Sequence, residues 1–451
     1  MRSDKSVLLG LCLLFAWGSA APAAAQSPFT LEQVLSPPYP WGLVSAKDAD
    51  RIAWVFYDRG ARNVWTAAAP DFLPVNLTGH ARDEVFEIPD VTITDDGRTV
   101  VYIKGGRPNS EGWVTNSDSD PDGREQAIWA VSTGGGKPWK VALGDNPVLS
   151  PDGNSILIVR DGLIYRAPLR PGVDPETAPP KQLLFRAAGQ NGSPRWSPDG
   201  TRIAFVTVRN DHSFIGIFDL ETRRITWVAP NVDRDSDPWW SADGSRIAFL
   251  RRPGLQFGAT PSVGFRDRGA AHTGMRGASE YQDVLAGAKY FQSWPEVDPE
   301  RIGKWGLSYG GLLTAMALAR NSDIFKVGVD MAGVHDWSQR RRGRFSEAQR
   351  KLARESSPVA HIETWKSPVL FIHGDDDRNV DFQQTTDLVQ KLRAKGDVHI
   401  ELMIAPDEPH EFLLYKNRME AYHRTFEFID RFLTKNGDSP HFLPFSGGEN
   451  D

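Results

Sequence analysis

Ile302-Gly-Lys-Trp-Gly306-Leu-Ser308-Tyr-Gly310-Gly311-Leu312, continuing as Leu-Thr-Ala-Met-Ala-Leu-Ala to Arg320, decides the fold of the C-terminal half. Ile302 to Gly306 reads as a short strand and Leu312 to Arg320 as a helix, with a sharp turn between them. Gly306-Leu-Ser308-Tyr-Gly310 matches Gly-x-Ser-x-Gly. In a strand–turn–helix setting, small residues at both ends permit a turn that exposes the serine hydroxyl at the top of a sheet. The helix that follows aims N–H groups at any negative charge developing beside Ser308, the candidate nucleophile.

Outward from this turn the apolar periodicity alternates between strands and helices. Strands are expected over Lys326 to Ala332, Pro368 to His373 and Val398 to Ala405. Upstream, Ser279-Glu-Tyr-Gln282 reads as a capping box, with Tyr281, Val284, Leu285 and Ala288 on one helical face. Apolar strands separated by helices predict a parallel sheet with crossover helices. A nucleophilic hydroxyl needs a base, and the base an orienting carboxylate, in the chain order Ser, Asp, His for such a sheet. Of ten histidines, His410 follows the last strand directly, at the carboxyl edge where the base belongs. His373, ending a strand, is read as structural, hydrogen-bonded near the loop backbone. For the acid, Asp375, Asp376 and Asp377 all fit on spacing alone. His410-Glu411 is no zinc motif, because no second histidine follows at the required spacing.

The first half repeats a different pattern. Thr94-Asp-Asp-Gly97, Ser150-Pro-Asp-Gly153, Trp196-Ser-Pro-Asp-Gly200 and Trp240-Ser-Ala-Asp-Gly244 each precede an apolar run. Those runs are Thr99 to Ile103, Ile156 to Val159, Ile203 to Val206 and Ile247 to Leu250. A degenerate fifth copy is Asp48-Ala-Asp-Arg51 before Ile52 to Phe56. The four glycines lie 56, 47 and 44 residues apart. Each supplies the positive φ of a tight hairpin, and a period in the forties is the signature of propeller blades. Asp118-Ser-Asp-Pro-Asp-Gly123 begins like a calcium loop, but Pro121 interrupts it and Trp129 stands where a bidentate Glu is required. Asp233-Arg-Asp-Ser-Asp237 has no glycine. Both are read as solvated loops.

The 451 residues carry a net charge of −6, 24% charged side chains and a mean hydropathy of −0.41. That composition is globular, and the acidic balance excludes nucleic acid as the main partner. The single cysteine excludes a disulfide scaffold and a thiolate metal site. It lies at Cys12, inside the apolar run Val7 to Gly18 that follows Met1-Arg-Ser-Asp-Lys5 and precedes an Ala-rich stretch ending at Ala25. Residues 1–25 therefore read as a signal peptide, too short to span a bilayer, which predicts a periplasmic or extracellular protein. After cleavage no membrane association is expected. No cofactor and no metal are required: there is no Gly-x-Gly-x-x-G and no P-loop.

Gly-x-Ser-Tyr-Gly-Gly, then His373-Gly-x-x-Asp377-x-x-Val380-x-Phe-Gln-Gln384, then His410 resemble the prolyl oligopeptidase family, in its dipeptidyl-peptidase and acylaminoacyl-peptidase branches. The resemblance is strong from about residue 262 to 434 and weak over the repeats. It implies a serine peptidase with an N-terminal propeller and a C-terminal α/β-hydrolase domain, acting on oligopeptides. It places the acid at Asp377, makes Ser308 nucleophile and His410 general base and acid, and gives Tyr309 one backbone oxyanion N–H. By the same resemblance Asn379 and Val380 touch substrate, and Trp337, in Gly333-Val334-His335-Asp336-Trp337, forms the pocket wall with Val334 beside it. Arg340-Arg-Arg342 reads as an exposed basic helix end, and alternatively as a clamp for a peptide carboxylate.

The expected architecture is thus β plus α/β. Residues 26–253 form an incomplete propeller, 254–435 an α/β-hydrolase domain lacking its first strands, and 436–451 a flexible tail. Five blade starts stand against the family's seven or eight. Only some fifty residues separate Arg252 from the Ser308 turn, with Ser262-Val-Gly-Phe265 as the remnant of an earlier strand. No His-Gly-Gly segment supplies a second oxyanion donor. A carboxylesterase with the same three residues, or an impaired homologue serving as a propeller binding module, are the alternatives. The sequence leaves cleavage preference and oligomeric state open.

Overall fold

The computed structural model describes residues 29–109, 111–172, 182–254, 279–339 and 347–434. The leader, Ser262–Phe265, Arg340–Arg342 and the tail lie outside the described residues.

Each Asp-Gly repeat builds the same hairpin. The Thr94, Ser150, Ser197 and Ser241 hydroxyls donate to the carboxylates of Asp96, Asp152, Asp199 and Asp243 at 2.5–2.6 Å. The glycine two positions before the chain turns back has φ between 67° and 72° in all four, and its N–H closes onto the same Thr or Ser carbonyl. Only glycine adopts that conformation without cost, so the repeat is a turn specification. The hydroxyl bonds come first among the effects that hold these carboxyls below their ordinary range, and Asp199 and Asp243 fall to about 2.

The strands flanking these turns form four-stranded antiparallel meanders over residues 39–76, 91–143, 145–183 and 190–228. A further pair, Arg234–Trp240 with Ile247–Arg252, joins the fourth meander through one parallel bridge, Ser213 to Arg234. The apolar runs alternate between two cores. Val100 and Tyr102 pack toward the first meander, whereas Val101 packs with Ile156 and Ile158 toward the third. Leu157 in turn packs with Ile203 and Phe205 of the fourth. A strand whose both faces are apolar is thereby buried between consecutive sheets, the packing of successive blades. Trp196 and Trp240, at the head of two repeats, reach back to Val148 O and Arg195 O of the preceding sheet. The final pair has no sheet beyond it among the described residues, and Trp239 and Leu250 are exposed there. The two Asp-rich stretches face cations of this chain: Asp118 and Asp120 face Arg124, and Asp235 faces Arg251 at 2.7 Å.

The second half is a parallel sheet in sequence order: β1 (Ile302–Leu307), β2 (Phe325–Met331), β3 (Val369–Gly374) and β4 (Ile400–Ala405). Helices α1 (Ser279–Gln292), α2 (Tyr309–Arg320), α3 (Glu347–Glu355), α4 (Gln383–Lys395) and α5 (Tyr415–Leu433) connect and cover it. Tyr281 and Ala288 of α1 pack with α2, α4 and the Val369 and Phe371 face of β3. Leu370 and Ile372 pack with Val327, Val329 and α5 on the other face. Among the described residues β1 pairs with β2 alone, so its far edge is open. The expected α2 start at Leu312 is three residues late. Ser308 already holds the cap position, its carbonyl accepting from Leu312 N–H at 3.0 Å, so the helix begins at Tyr309.

The halves meet at the start of α5. Arg62 donates to Leu413 O at 3.1 Å, Tyr415 N–H donates to Asp83 at 2.8 Å, and Val85 packs on Leu413 and Leu414. The short helix Leu31–Leu35 adds Glu32 to His423 at 2.7 Å.

Candidate active site

Ser308, Asp377 and His410 follow the carboxyl ends of β1, β3 and β4, the same edge of one parallel sheet. Ser308 has φ 60° and ψ −114°, a left-handed conformation that costs a non-glycine residue about 1–3 kcal/mol. The fold holds it there by Ser308 N–H donating to Met331 O at 2.8 Å, and by the close packing of the turn. A Cβ on Gly306 would stand 2.7 Å from the Gly310 backbone, so Gly306 is obligatory. At Gly310 a Cβ would meet open space, so only one of the two small residues is sterically required. Gly311 is tighter, with Asp330 and Gly333 against it, and it seats α2 on the end of β2.

The three adjacent aspartates have three separate partners. Asp375 accepts from Asp407 N–H at 2.7 Å, and Asp376 pairs with Arg378 and accepts from Thr115 at 3.2 Å. Asp377 alone meets His410, Nδ1 to Oδ2 at 2.6 Å. The same Oδ2 meets His373 Nε2 at 2.9 Å, while Oδ1 accepts the Asn379 and Val380 N–H groups, both at 2.8 Å. Burial pushes the Asp377 carboxyl up, but the bonds from His373, His410 and Val380 N–H outweigh it and hold the group well below the usual carboxylate range. An ionised carboxylate only accepts, so both imidazole nitrogens facing it carry protons. In the neutral His410 imidazole that tautomer leaves Nε2, on the side away from Asp377, as the acceptor.

His373 is fully buried, and its partners are side chains, Thr385 Oγ1 at 2.8 Å and Asp377, where the loop backbone was expected. It holds the same Asp377 oxygen that meets His410. Its position four residues ahead of Asp377 was the available signal. Trp337 lies beside Tyr309, ring centroids 6.4 Å apart, and its backbone N–H donates to Ser357 Oγ at 2.9 Å. Asn379 is exposed beside Asp377. Val334 and Val380 are only 2% and 1% exposed, so little of either side chain faces solvent where a substrate would lie. Val380 serves the site through its N–H.

A sequence model of the prolyl oligopeptidase family matches residues 261–436. This part of the chain is a prolyl oligopeptidase family domain. Dipeptidyl peptidase 4 of Sus scrofa is 34% identical over 143 residues, 30% of this chain and 18% of the relative. A probable dipeptidyl-aminopeptidase B of Metarhizium robertsii is 29% identical over 157 residues, 33% of this chain and 17% of the relative. The chain thus spans about a fifth of the length of the curated relatives it matches. Among solved structures, an acylaminoacyl peptidase of Pyrococcus horikoshii aligns with a TM-score of 0.43 at 15% identity, covering 89% of this chain and 90% of that one. Dipeptidyl peptidase 4 of Porphyromonas gingivalis aligns with a TM-score of 0.35 at 15% identity, covering 88% and 71%. The family and these relatives are serine peptidases.

The family domain presses its acid and histidine loops together. A Cβ on Gly374, at the end of β3, would stand 2.1 Å from Glu408 O, two residues before His410. Backbone cannot yield as a flexible side chain does, so Gly374→Ala is expected to destabilise by about 2–3 kcal/mol. Urea unfolding of the purified protein checks this; an unchanged midpoint would show that the loops are not in contact.

Proposed function

We propose that the chain is an exported serine peptidase that cleaves short peptides through an acyl-enzyme on Ser308. The observation that carries the reading is the 2.6 Å bond that fixes His410 to an ionised Asp377 at the sheet edge where Ser308 stands in a left-handed turn. In this reading His410 Nε2 takes the Ser308 proton as Oγ attacks the scissile carbonyl. The carbonyl oxygen gains the charge, and the Tyr309 N–H at the head of α2 stabilises it. Collapse breaks the C–N bond, and His410 returns the proton to the leaving amine. Water, deprotonated by His410, then releases the acyl group. Trp337, Val334, Asn379 and Val380 are the substrate contacts carried over from the family pattern, the two buried valines through their backbone.

Short peptides as substrates are carried over from the dipeptidyl peptidase relatives. We read the four meanders and the extra pair as part of a propeller, and the open edge of β1 as the place where further hydrolase strands, absent among the described residues, would pair. With Tyr309 as the one oxyanion donor this reading assigns among the described residues, turnover is expected roughly 10²–10³-fold below that of a site with two. Export rests on the apolar leader at residues 7–18.

The test is a fluorophosphonate probe on the soluble full-length protein, followed by turnover of dipeptide anilides and short acyl esters. Covalent labelling at Ser308 with anilide cleavage is the expected result. Ester cleavage alone would make the protein a carboxylesterase. No labelling would leave a binding module with an inactive hydrolase remnant.

A further inference from the structure

The loop between the strands Thr99–Lys104 and Ala127–Ser132 leaves the β half and crosses onto both loops that carry the candidate acid and base. Thr115 Oγ1 lies 3.2 Å from Asp376, next to Asp377. Arg378, on the other side of Asp377, donates to Arg107 O. Ser117 Oγ lies 3.1 Å from Asp407 O and 2.9 Å from Glu408 Oε2.

Glu408 is the focus of these contacts. Its side chain is fully buried, two residues before His410. Oε2 accepts from Leu413 N–H at 2.7 Å; Oε1 accepts from Leu414 N–H at 3.1 Å and from Asn417 at 2.8 Å. Three donors thus come from the chain just beyond His410, and the carboxylate draws residues 408–417 into a closed turn that carries the imidazole. The fourth donor, Ser117, belongs to the other half of the molecule. A buried carboxylate holds its place only when its lone pairs are satisfied, so each donor lost loosens the whole turn.

We propose that Ser117 is a positioning residue for His410: the β half braces the histidine turn through Glu408 and so takes part in turnover as well as in access. The proposal rests on the acyl-transfer reading above for its kinetic consequence, but the brace itself does not. The hydroxyl has one proton, and whether it goes to Glu408 or to Asp407 O the turn is tied to residue 117. Catalytic geometry tolerates displacements of only a fraction of an ångström, so a looser turn lowers the rate at unchanged substrate binding.

The full-length protein, Ser117→Ala and Ser117→Thr are compared for kcat and KM on the best substrate, for fluorophosphonate labelling rate and for hydrogen exchange at the Leu413 and Leu414 amides. Ser117→Ala is expected to lower kcat and labelling about five- to twentyfold, with KM within about twofold, and to speed exchange about tenfold. Ser117→Thr, which keeps the hydroxyl, restores all three. Wild-type kcat in Ser117→Ala, or a loss that Ser117→Thr shares, would overturn the proposal. If the unmodified protein neither hydrolyses nor labels, the acyl-transfer reading fails, and exchange still decides the brace: faster exchange in Ser117→Ala supports it and unchanged exchange refutes it.

Discussion

Ser308→Ala should abolish covalent labelling and lower turnover on the order of 10⁴- to 10⁶-fold while leaving thermal stability unchanged. The loss is expected because removing one member of a concerted set costs nearly as much as removing all. The stability expectation follows from the backbone. Ser308 makes no side-chain bond to the helix it caps, and alanine keeps the same φ of 60° and the same strain. Ser308→Gly separates the two effects. It too should be inactive, but glycine occupies left-handed space freely, so the protein should gain about 1 kcal/mol and melt higher. The pair of melts and rates therefore reads strain and chemistry independently. Residual turnover within tenfold of the parent in Ser308→Ala would place the nucleophile elsewhere.

What the sequence made legible was local. The Asp-Gly turns were readable because each hairpin is specified within five residues by a hydroxyl, a carboxylate and a glycine, as at Ser197, Asp199 and Gly200. The turn at Ser308 and the strand ends that carry Asp377 and His410 were readable for the same reason. The unread parts are those made by residues far apart in the chain. Ser117 and Glu408 are separated by 291 positions, and nothing in either neighbourhood marks the bond between them. His373 was read as bonding nearby backbone, yet its partners are Thr385, reached through the packing of α4, and Asp377. Val334 and Val380 carried a family role, but their burial follows from how their loops pack onto the sheet, which spacing does not encode. The apolar run from Thr99 to Ile103 gave a buried strand, but only the stacked sheets showed that its two faces serve two different cores.

Asp377→Asn should lower turnover by about 10⁴-fold, and the reason lies in its four bonds. All four donors around the carboxylate point inward. The Asn379 and Val380 N–H groups are backbone and cannot stop donating, so the amide oxygen must take the Oδ1 position. The amide NH₂ then occupies the Oδ2 position and faces two imidazole N–H groups. Donor against donor is untenable in a buried site, so His410 must present a bare Nδ1 and carry its proton on Nε2, where a base is useless. A pH series gives the second check. The folded Asp377 carboxyl titrates below its unfolded value, so between the two the unfolded chain binds more protons and stability rises with pH. The contribution is complete above the unfolded value, about 3.9, and is lost as pH falls toward the folded one. From pH 5 to pH 3 the parent should therefore lose about 1 kcal/mol more than Asp377→Asn. The depressed Asp96, Asp152, Asp199 and Asp243 carboxyls lose their share in both proteins and cancel in the difference. Parallel stability curves would mean that Asp377 is not held ionised by its neighbours. Near-parental turnover in the asparagine variant would move the orienting role from Asp377 to another carboxylate of the run.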